Sequence, residues 1–299
     1  MIFFKPVATL SSLVLPICLG VSVLAAANLQ ADDDPTSRKA LKVCADPQYM
    51  PFSSEAGQGY ENRLAQLVAD ELKLPLEYTW FPQRLGFIRN TLKKENQAGD
   101  GFLCDLVMGL PTGYELAATT DPYMQSTYAL VLRSDGKLSQ LKQPTDLLTD
   151  NPANPDAIKI GITESSPGAA WLAKYQLHQY MAPYAAQTGD PADFPGKAML
   201  TDLLAGKLDA AIVWGPTAAY FASQHQDART LKMLPLKSEP GVKFNYPISA
   251  AVRFGEKAWK EQVNQILHSK QAEIENILRD EYHIPLVDDA GEVLAAVRQ

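Results

Sequence analysis

Aromatic side chains and a few hydrogen-bond donors stand just after the apolar, strand-like segments of this sequence. They are Tyr49, Phe52, Phe81, Arg84, Thr112, Tyr114, Ser165, Ser166 and Trp214. Clefts that bind small molecules typically combine aromatic walls with a small number of well-placed donors. The sequence therefore predicts a binding cleft and assigns these residues to it.

Some of these assignments have an alternative. Ser165 and Ser166 come directly before Pro167, a residue that suits the first turn of a helix. Backbone N–H groups at such a helix start could receive a carboxylate or a phosphate, but a serine that only caps the helix explains the pattern more simply. Trp214, which precedes Gly215-Pro216, suits the core and a cleft wall equally well.

Motifs for catalysis are missing from the sequence. It contains no G-x-S-x-G, no P-loop, no H-E-x-x-H and no G-x-G-x-x-G after a strand. The four histidines, His178, His225, His268 and His283, fall separately on predicted helices or at a helix exit, where a structural polar role is the simpler explanation. We therefore expect no catalytic residues, no metal site and no bound cofactor.

The elements that position the cleft residues are organised around residues 104–133. Residues 106–108 form a short apolar run that ends at Gly109, as expected for a buried strand. Pro111 and Gly113 then break the chain into a loop. Open α/β sheets receive ligands at loops that leave the carboxyl ends of strands. This loop is thus the first place to look for function.

Strand-like runs alternate with segments of helical spacing along most of the chain. The predicted strands cover residues 41–45, 76–80, 106–108, 128–132, 158–163, 208–214, 231–234 and 245–254, and the predicted helices cover 61–72, 86–92, 169–175, 199–204, 218–222 and 256–280. This order implies an α/β fold in which helices connect parallel strands. We expect two lobes, each a mostly parallel sheet flanked by helices. Lobe 1 would comprise residues 40–134 and 245–299, lobe 2 would comprise 135–244, and the two crossings between them would act as a hinge.

Composition and the amino terminus narrow the class of protein. With 299 residues, a net charge of −7 and no broad basic patch, the chain does not suggest a nucleic-acid partner. Residues 1–27 have the positive start, apolar segment and Ala25-Ala26-Ala27 cleavage site of a secretory signal peptide. A membrane anchor is the alternative, but no basic stop-transfer cluster follows. We expect a periplasmic protein with no membrane span once the signal is removed.

Removal of the signal would leave two cysteines: Cys44, predicted to end the first strand, and Cys104, predicted to begin the third. Those strands are expected to be neighbours and the periplasm is oxidising, so a disulfide between them is predicted. Two separate buried thiols are the alternative. A metal or redox site has less support because the sequence has no C-x-x-C motif and no histidine pair near these cysteines.

Several segments together resemble the type II periplasmic solute-binding proteins, in the branch of the amino-acid receptors. They are the loop through Pro51-Phe52, the strand from Cys104 to Gly109, Thr120-Asp121-Pro122-Tyr123, and Gly206-Lys207-Leu208-Asp209-Ala210-Ala211. The resemblance implies ligand binding between two lobes, with an arginine for the ligand carboxylate and an aspartate for its amine. This chain has Thr112-Gly113-Tyr114 and Trp214-Gly215 at those positions. A free amino acid is therefore not the expected ligand, because its two charges would be buried without partners.

A narrower resemblance, to the MoxJ and XoxJ group, rests on a further set of segments. They are Cys44-Ala45-Asp46-Pro47, Tyr78-Thr79-Trp80-Phe81-Pro82-Gln83-Arg84, Gly86-Phe87-Ile88-Arg89-Asn90-Thr91-Leu92, Cys104-Asp105-Leu106-Val107-Met108-Gly109 and Val213-Trp214-Gly215-Pro216. The resemblance implies a non-catalytic binding-protein fold that assists a periplasmic dehydrogenase dependent on pyrroloquinoline quinone (PQQ), which oxidises methanol or another alcohol. The assistance could be maturation, activation or binding of the partner in the cleft. The alternative is the substrate-binding protein of an ABC transporter, for a small solute that is not a free amino acid.

Overall fold

The computed structural model describes residues 38–149, 158–186, 190, 196–225 and 231–294. The predicted signal peptide, residues 1–27, lies outside these ranges. Within them, no helix combines the length and the apolar character that a bilayer-spanning segment needs.

The described residues form short helices and strands that alternate along the chain. The strands are β1 (Leu41–Ala45), β2 (Gln48–Tyr49), β3 (Ser53–Ser54), β4 (Leu76–Trp80), β5 (Leu106–Pro111), β6 (Ala118–Thr119), β7 (Met124–Arg133), β8 (Ile160–Thr163), β9 (Met181–Tyr184), β10 (Ala210–Trp214), β11 (Leu231–Pro235) and β12 (Asn245–Val252). The helices are α1 (Tyr60–Leu72), α2 (Phe87–Asn90), α3 (Asp146–Thr149), α4 (Pro167–Lys174), α5 (Lys197–Leu204), α6 (Gly215–Gln224), α7 (Lys257–Ser269) and α8 (Gln271–Asn276).

The main sheet is built from two parallel halves that two long strands connect. Its order is β4-β1-β5-β12-β7-β10-β8-β9, with β6 paired to β12 and β11 paired to β7. In the first half-sheet, β1 runs parallel to β4 and to β5. In the second half-sheet, β8 runs parallel to β10 and to β9. The strands β12 and β7 are antiparallel to their neighbours. The predicted α/β architecture, with two mostly parallel half-sheets, is confirmed.

Strand β7 belongs to both half-sheets. Its residues from Met124 to Thr127 pair with β12, whereas those from Tyr128 onward pair with β10 and β11. The change of partner thus falls at Thr127 and Tyr128, upstream of the lobe boundary predicted after residue 134. The lobe boundaries 40–134, 135–244 and 245–299 stay predictions, and we propose that the first crossing lies inside β7.

Each half-sheet has its own apolar core. In the first, α1 presents Leu64 and Val68 at helical spacing, and both side chains are fully buried against the sheet together with Trp259 of α7. In the second, Trp171 of α4 packs in a buried cluster with Phe244. Burial of one such leucine contributes about 2 kcal/mol, so each helix is held mainly by its apolar face rather than by local propensity.

The prediction of one continuous helix over residues 256–280 is wrong. The segment is divided into α7 and α8 at Lys270, and a π-helical turn, Ile277–Glu281, follows. Lys270 pairs with Glu71 of α1 at 2.8 Å. The break keeps both Ile274 and Leu278 buried in the first core. The apolar spacing is compatible with a straight helix, so it does not reveal the bend.

Cys44 and Cys104 form the predicted disulfide, with a Cα–Cα distance of 5.6 Å. Cys104 lies two residues before β5 and not at its start as predicted, but the pairing of β1 with β5 still brings the two cysteines together. The two cysteines are 60 residues apart in sequence. A crosslink that closes a loop of that size restricts the unfolded chain and contributes roughly 4 kcal/mol in the chain-entropy model.

Candidate ligand-binding cleft

A cleft of about 610 Å³ lies where the carboxyl ends of strands from the two half-sheets meet. On the side of the first half-sheet and β12 it is lined by Tyr49, Phe52, Gln83, Gly109, Pro111, Tyr246 and Ile248. On the side of the second half-sheet it is lined by Tyr128, Thr163, Glu164, Ser165, Ser166, Pro167, Ala186, Gly196, Val213, Trp214 and Thr217. The position follows the general rule that ligands bind beyond the carboxyl ends of parallel strands.

Aromatic rings form much of the lining. Tyr49 and Phe52 stack with their centroids 4.6 Å apart. Trp214, Tyr128 and Tyr246 form a second group, in which Trp214 lies edge-on to Tyr128 at 5.3 Å and to Tyr246 at 6.1 Å. Burial raises the pKa of the Tyr128 hydroxyl to about 12, and it also raises the pKa of Tyr49. Both hydroxyls therefore remain neutral donors at physiological pH.

Asp46 holds the loop that carries the first aromatic pair. Its Oδ1 accepts from the backbone N–H of Gln48 at 2.9 Å, and its Oδ2 accepts from the backbone N–H of Gln83 at 2.6 Å. The carboxylate thus ties together the loops that leave β1 and β4. These bonds fix the backbone just before Tyr49 and the backbone of Gln83, which lines the cleft.

Glu61, at the start of α1, lies directly beneath this part of the cleft. The residue is only 5% exposed, and its backbone N–H donates to Phe52 O at 2.9 Å. Burial raises the pKa of the Glu61 carboxyl to about 8, and the nearby Asp46 carboxylate adds to the rise. In the described part of the chain this carboxyl has no hydrogen-bond donor and no cation as a partner.

Gly109 of β5 leaves the space that the Glu61 carboxyl occupies. A Cβ added at Gly109 would lie 1.9 Å from Glu61 Oε1, and the φ of Gly109 is +74°. A larger residue would therefore meet both a clash and a strained backbone. Because Gly109 lines the cleft, the buried carboxyl lies immediately behind the cleft surface.

Sequence reasoning missed Glu61. An acidic residue in the first turn of a helix is the ordinary complement to the helix dipole, so its type and position carried no functional signal. Gly109, which follows the apolar run of residues 106–108, was noted only as the end of a strand. The relation between the two residues depends on the packing of α1 against β5, which one sequence does not reveal.

The structure brings five of the predicted cleft residues together in the lining: Tyr49, Phe52, Ser165, Ser166 and Trp214. Ser166 is also the N-cap of α4, where its Oγ accepts from Ala169 N–H at 3.4 Å, so the capping explanation has geometric support. Trp214 packs against the first core as well as lining the cleft. The functional role of these residues stays a prediction.

Four predicted cleft residues lie elsewhere. Phe81 packs near Phe87, beside the disulfide. Arg84 donates from Nη2 to the backbone oxygen of Asp190, a residue that follows β9 in the chain. Thr112 shares a hydrogen bond of 2.7 Å with Ser249. Tyr114 is partly exposed on the loop after β5. Chain order correctly indicated which loops are close to the cleft, but not the direction of each side chain.

The described cleft lining lacks the basic side chain that would pair with the carboxylate of a free amino acid. Among the described residues that line the cleft there is no lysine, arginine or histidine, and Glu164 is the only acidic one. The described residues also contain no group of three or more histidine, cysteine, aspartate or glutamate side chains placed to hold a metal ion. The arrangement suits an apolar or aromatic group far better than an anion.

Comparison with known proteins adds an independent observation. No protein-family model matches the chain. The crystal structure of the periplasmic binding protein XoxJ from Methylobacterium extorquens AM1 is similar at 34% sequence identity and a TM-score of 0.64, over 84% of this chain and 100% of that one. The chain belongs to the MoxJ and XoxJ group of type II periplasmic binding proteins.

Other members of the group agree with this assignment. The protein MoxJ of Paracoccus denitrificans is 28% identical over 260 residues, which are 83% of this chain and 89% of that protein. The crystal structure of MxaJ from Methlophaga aminisulfidivorans MPT is 27% identical with a TM-score of 0.65, over 83% of this chain and 100% of that one. The resemblance inferred from sequence segments is confirmed.

Proposed function

We propose that this protein is a non-catalytic, periplasmic partner of a PQQ-dependent methanol or alcohol dehydrogenase, and that it holds a segment of that enzyme in the cleft during maturation or activation. Membership of the MoxJ and XoxJ group supports the choice of partner. The observation that carries the proposal is the cleft lining, which is rich in aromatic rings and lacks the charges of an amino-acid receptor.

The absence of basic side chains from the described cleft lining opposes a free amino acid as ligand. The ligand carboxylate would lose its hydration and gain no cation in return, since no lysine, arginine or histidine lines the cleft among those residues. An uncompensated buried charge costs several kcal/mol, by roughly the penalty seen when one partner of a buried ion pair is removed. A chain segment has no such problem because its backbone is uncharged.

The same reasoning favours a segment of the dehydrogenase over its cofactor. PQQ carries several carboxylate groups, and the described cleft lining offers them no basic side chain and one acidic side chain, Glu164. Like charges placed close together in a low dielectric repel strongly. We therefore propose no role in carrying PQQ.

Exposed apolar side chains at the cleft rim support docking of a protein. Leu85, which follows β4, is 99% exposed, and Leu116, which follows β5, is 45% exposed. Both loops leave the carboxyl ends of strands that run parallel to β1, so they lie on the same edge of the first half-sheet as the cleft. Large exposed apolar residues around a recessed site are typical of protein interaction surfaces.

The experiment is retention of the purified dehydrogenase, prepared with and without PQQ, on the immobilised protein at low salt. We expect retention, and we expect Leu85→Ser to weaken it several-fold. Phe254→Ser is the matched control, because Phe254 is 57% exposed but follows β12 at the opposite edge of the first half-sheet. No retention of either dehydrogenase form, or equal losses in the two variants, would contradict the proposal.

The second candidate is the substrate-binding protein of an ABC transporter. The cleft volume of about 610 Å³ falls within the range usual for small-molecule sites, roughly 300–1,000 Å³. This function predicts that a defined, uncharged or weakly polar solute raises the melting temperature, since a ligand that binds only the folded state stabilises it. Such a solute, together with no retention of the dehydrogenase, would favour this candidate over the first.

A further inference from the structure

A hairpin late in the chain, residues 286–294, lies beside the crossing between the two half-sheets. Its two arms are joined by a hydrogen bond of 2.9 Å from Leu294 N–H to Leu286 O. Asp288 closes its turn, since Asp288 Oδ1 accepts from Glu292 N–H at 2.9 Å. The hairpin therefore has its own hydrogen bonds and forms a definite element.

The base of this hairpin is bonded to the first part of β7. Val287 N–H donates to Gln125 O at 3.0 Å, and Gln125 Nε2 donates to Asp288 O at 2.5 Å. Just before the hairpin, Pro285 O accepts from Ser126 Oγ at 2.7 Å. Because Gln125 and Ser126 pair with β12, the base of the hairpin belongs to the first half-sheet.

The tip of the hairpin contacts the second half-sheet. Glu292 Oε1 pairs with Lys237 Nζ at 2.5 Å. Lys237 follows Leu236, which is buried in the second core and donates its N–H to Tyr128 O at 2.8 Å. The ion pair thus joins an acid carried by the first half-sheet to a base carried by the second.

Pro285, the residue before the hairpin, makes another contact at the crossing. A Cβ added at Gly215, the first residue of α6, would lie 2.6 Å from Pro285 Cγ and 2.4 Å from Thr127 O. Thr127 pairs with Asn245 of β12, whereas the next residue of β7 pairs with β10. A rotation of the half-sheets about this point would therefore move α6 against Pro285 and Lys237 against Glu292.

We propose that the 286–294 hairpin is a strap that keeps the two half-sheets at the angle of this structure, and that the pair between Lys237 and Glu292 is the part of the strap that opens. Among the described residues that line the cleft, none comes from the hairpin. The strap therefore acts on the cleft only through the angle between the half-sheets. The inference does not rest on the proposed function, because it is independent of what the cleft binds.

The ion pair suits a contact that opens because both of its side chains reach the solvent. Lys237 is 57% exposed and Glu292 is 60% exposed, so water can replace the contact when the half-sheets rotate. An exposed pair contributes little to global stability, but it shifts an equilibrium between two arrangements by whatever it contributes to one of them alone, roughly twofold to fivefold. A molecule that binds an arrangement with a different angle would bind more tightly, by the same factor, once the pair is removed.

The experiment measures the distance between two spin labels on the mature protein by pulsed electron paramagnetic resonance. The labels are attached at Arg89→Cys on α2 and Ala198→Cys on α5, two exposed positions on helices that pack against different half-sheets. With no other change, we expect one main distance at low salt. Lys237→Glu and Glu292→Lys should each raise the population at other distances by roughly twofold to fivefold.

The double reversal Lys237→Glu/Glu292→Lys tests the pair itself. It restores two opposite charges and should return the distances to those of the protein with neither change, which would not happen if either residue acted alone. Raising the salt concentration to 1 M should make the unreversed protein resemble the single reversals, because salt screens exposed charges.

Arg63→Glu is the matched control. It removes the pair of Arg63 with Glu281, whose side chains are 52% and 47% exposed. Arg63 is in α1 and Glu281 ends the π-helical turn, so both lie on the side of the first half-sheet. The distance between the labels should not change in this variant.

Three results would overturn the inference. They are unchanged distances in both single reversals, a double reversal that does not restore the original distances, and a change in Arg63→Glu as large as in Lys237→Glu. A broad range of distances at low salt in the unreversed protein would also overturn it, because the strap would then not be keeping one angle.

Discussion

The Glu61 carboxyl occupies the space that a side chain at Gly109 would fill, since a Cβ on Gly109 would lie 1.9 Å from Glu61 Oε1. One residue begins the helix behind the cleft and the other is part of the cleft surface. The absence of a side chain at position 109 therefore lets a buried acid approach the cleft. This relation has consequences for stability that do not depend on the identity of the ligand.

Gly109→Ala should lower the free energy of unfolding by more than Gly113→Ala does. Both glycines have a positive φ, but a Cβ at Gly113 meets nothing within 4 Å. The strain alone costs about 1–2 kcal/mol, and only Gly109→Ala must also displace Glu61. Urea denaturation of the two variants measures the difference. In a Glu61→Ala background the two costs should become similar, and a Gly109→Ala cost that does not change in that background would contradict the steric relation.

Glu61 should make the protein less stable as the pH rises. The carboxyl has a pKa of about 8 in the folded protein, well above the value near 4.3 of an unfolded chain. Its contribution to stability is thus fully present below the unfolded pKa and is lost as the pH rises to the folded pKa, by up to about 1.4 kcal/mol per unit. Glu61→Gln should gain stability relative to the wild type between about pH 5 and pH 8. Melting curves of both proteins across this window test the sign, and a difference that stays constant with pH would refute it.

The buried ion pair between Arg253 and Glu256 should contribute far more than an exposed pair. Arg253 Nη2 donates to Glu256 Oε1 at 2.6 Å, and both side chains are almost fully buried. Arg253→Met leaves Glu256 with Arg38, at 3.6 Å, as its remaining buried cationic partner, so the loss should cost about 2 kcal/mol, less than the penalty for an unpaired buried charge. Lys237→Met, which removes a well-exposed pair with Glu292, should cost less than about 1 kcal/mol. If denaturant unfolding shows the same loss of unfolding free energy in both variants, the buried pair contributes no more than the exposed one.

Reduction of the Cys44–Cys104 disulfide should lower the melting temperature. Loss of a crosslink of roughly 4 kcal/mol corresponds to a decrease of about 10 °C in a protein of this size. Dithiothreitol should produce this decrease in the wild type and have no effect on a Cys44→Ala/Cys104→Ala variant. If the reductant shifts both proteins equally, it acts on something other than this bond.

Most of the fold could be predicted from the sequence because buried parallel strands are short apolar runs with clear ends. The strands β1 and β4 have the predicted bounds, and the pairing of Cys44 with Cys104 followed from the expected order of neighbouring strands. The interruption at Lys270 could not be predicted, because no proline or glycine marks it in the sequence.

The candidate site was only partly predictable for a related reason. Strand order identifies the loops that surround the cleft, and residues such as Tyr49 and Trp214 were found in this way. The direction of each side chain depends on loop geometry, so Phe81 and Thr112 were assigned to the cleft although they contact other parts of the protein. Glu61 was missed because its significance comes from a contact with Gly109, a residue distant in sequence.

The most direct test of the proposed function is hydrogen–deuterium exchange of this protein with and without the dehydrogenase at low salt. Backbone amides around Tyr49–Ser54 and Thr163–Gly168, which belong to the two sides of the cleft, should exchange more slowly in the presence of the dehydrogenase. The Leu85→Ser variant should show a smaller effect at the same concentration. Protection confined to surfaces away from the cleft, or no protection at a concentration that saturates retention, would contradict the binding of a dehydrogenase segment between the two half-sheets.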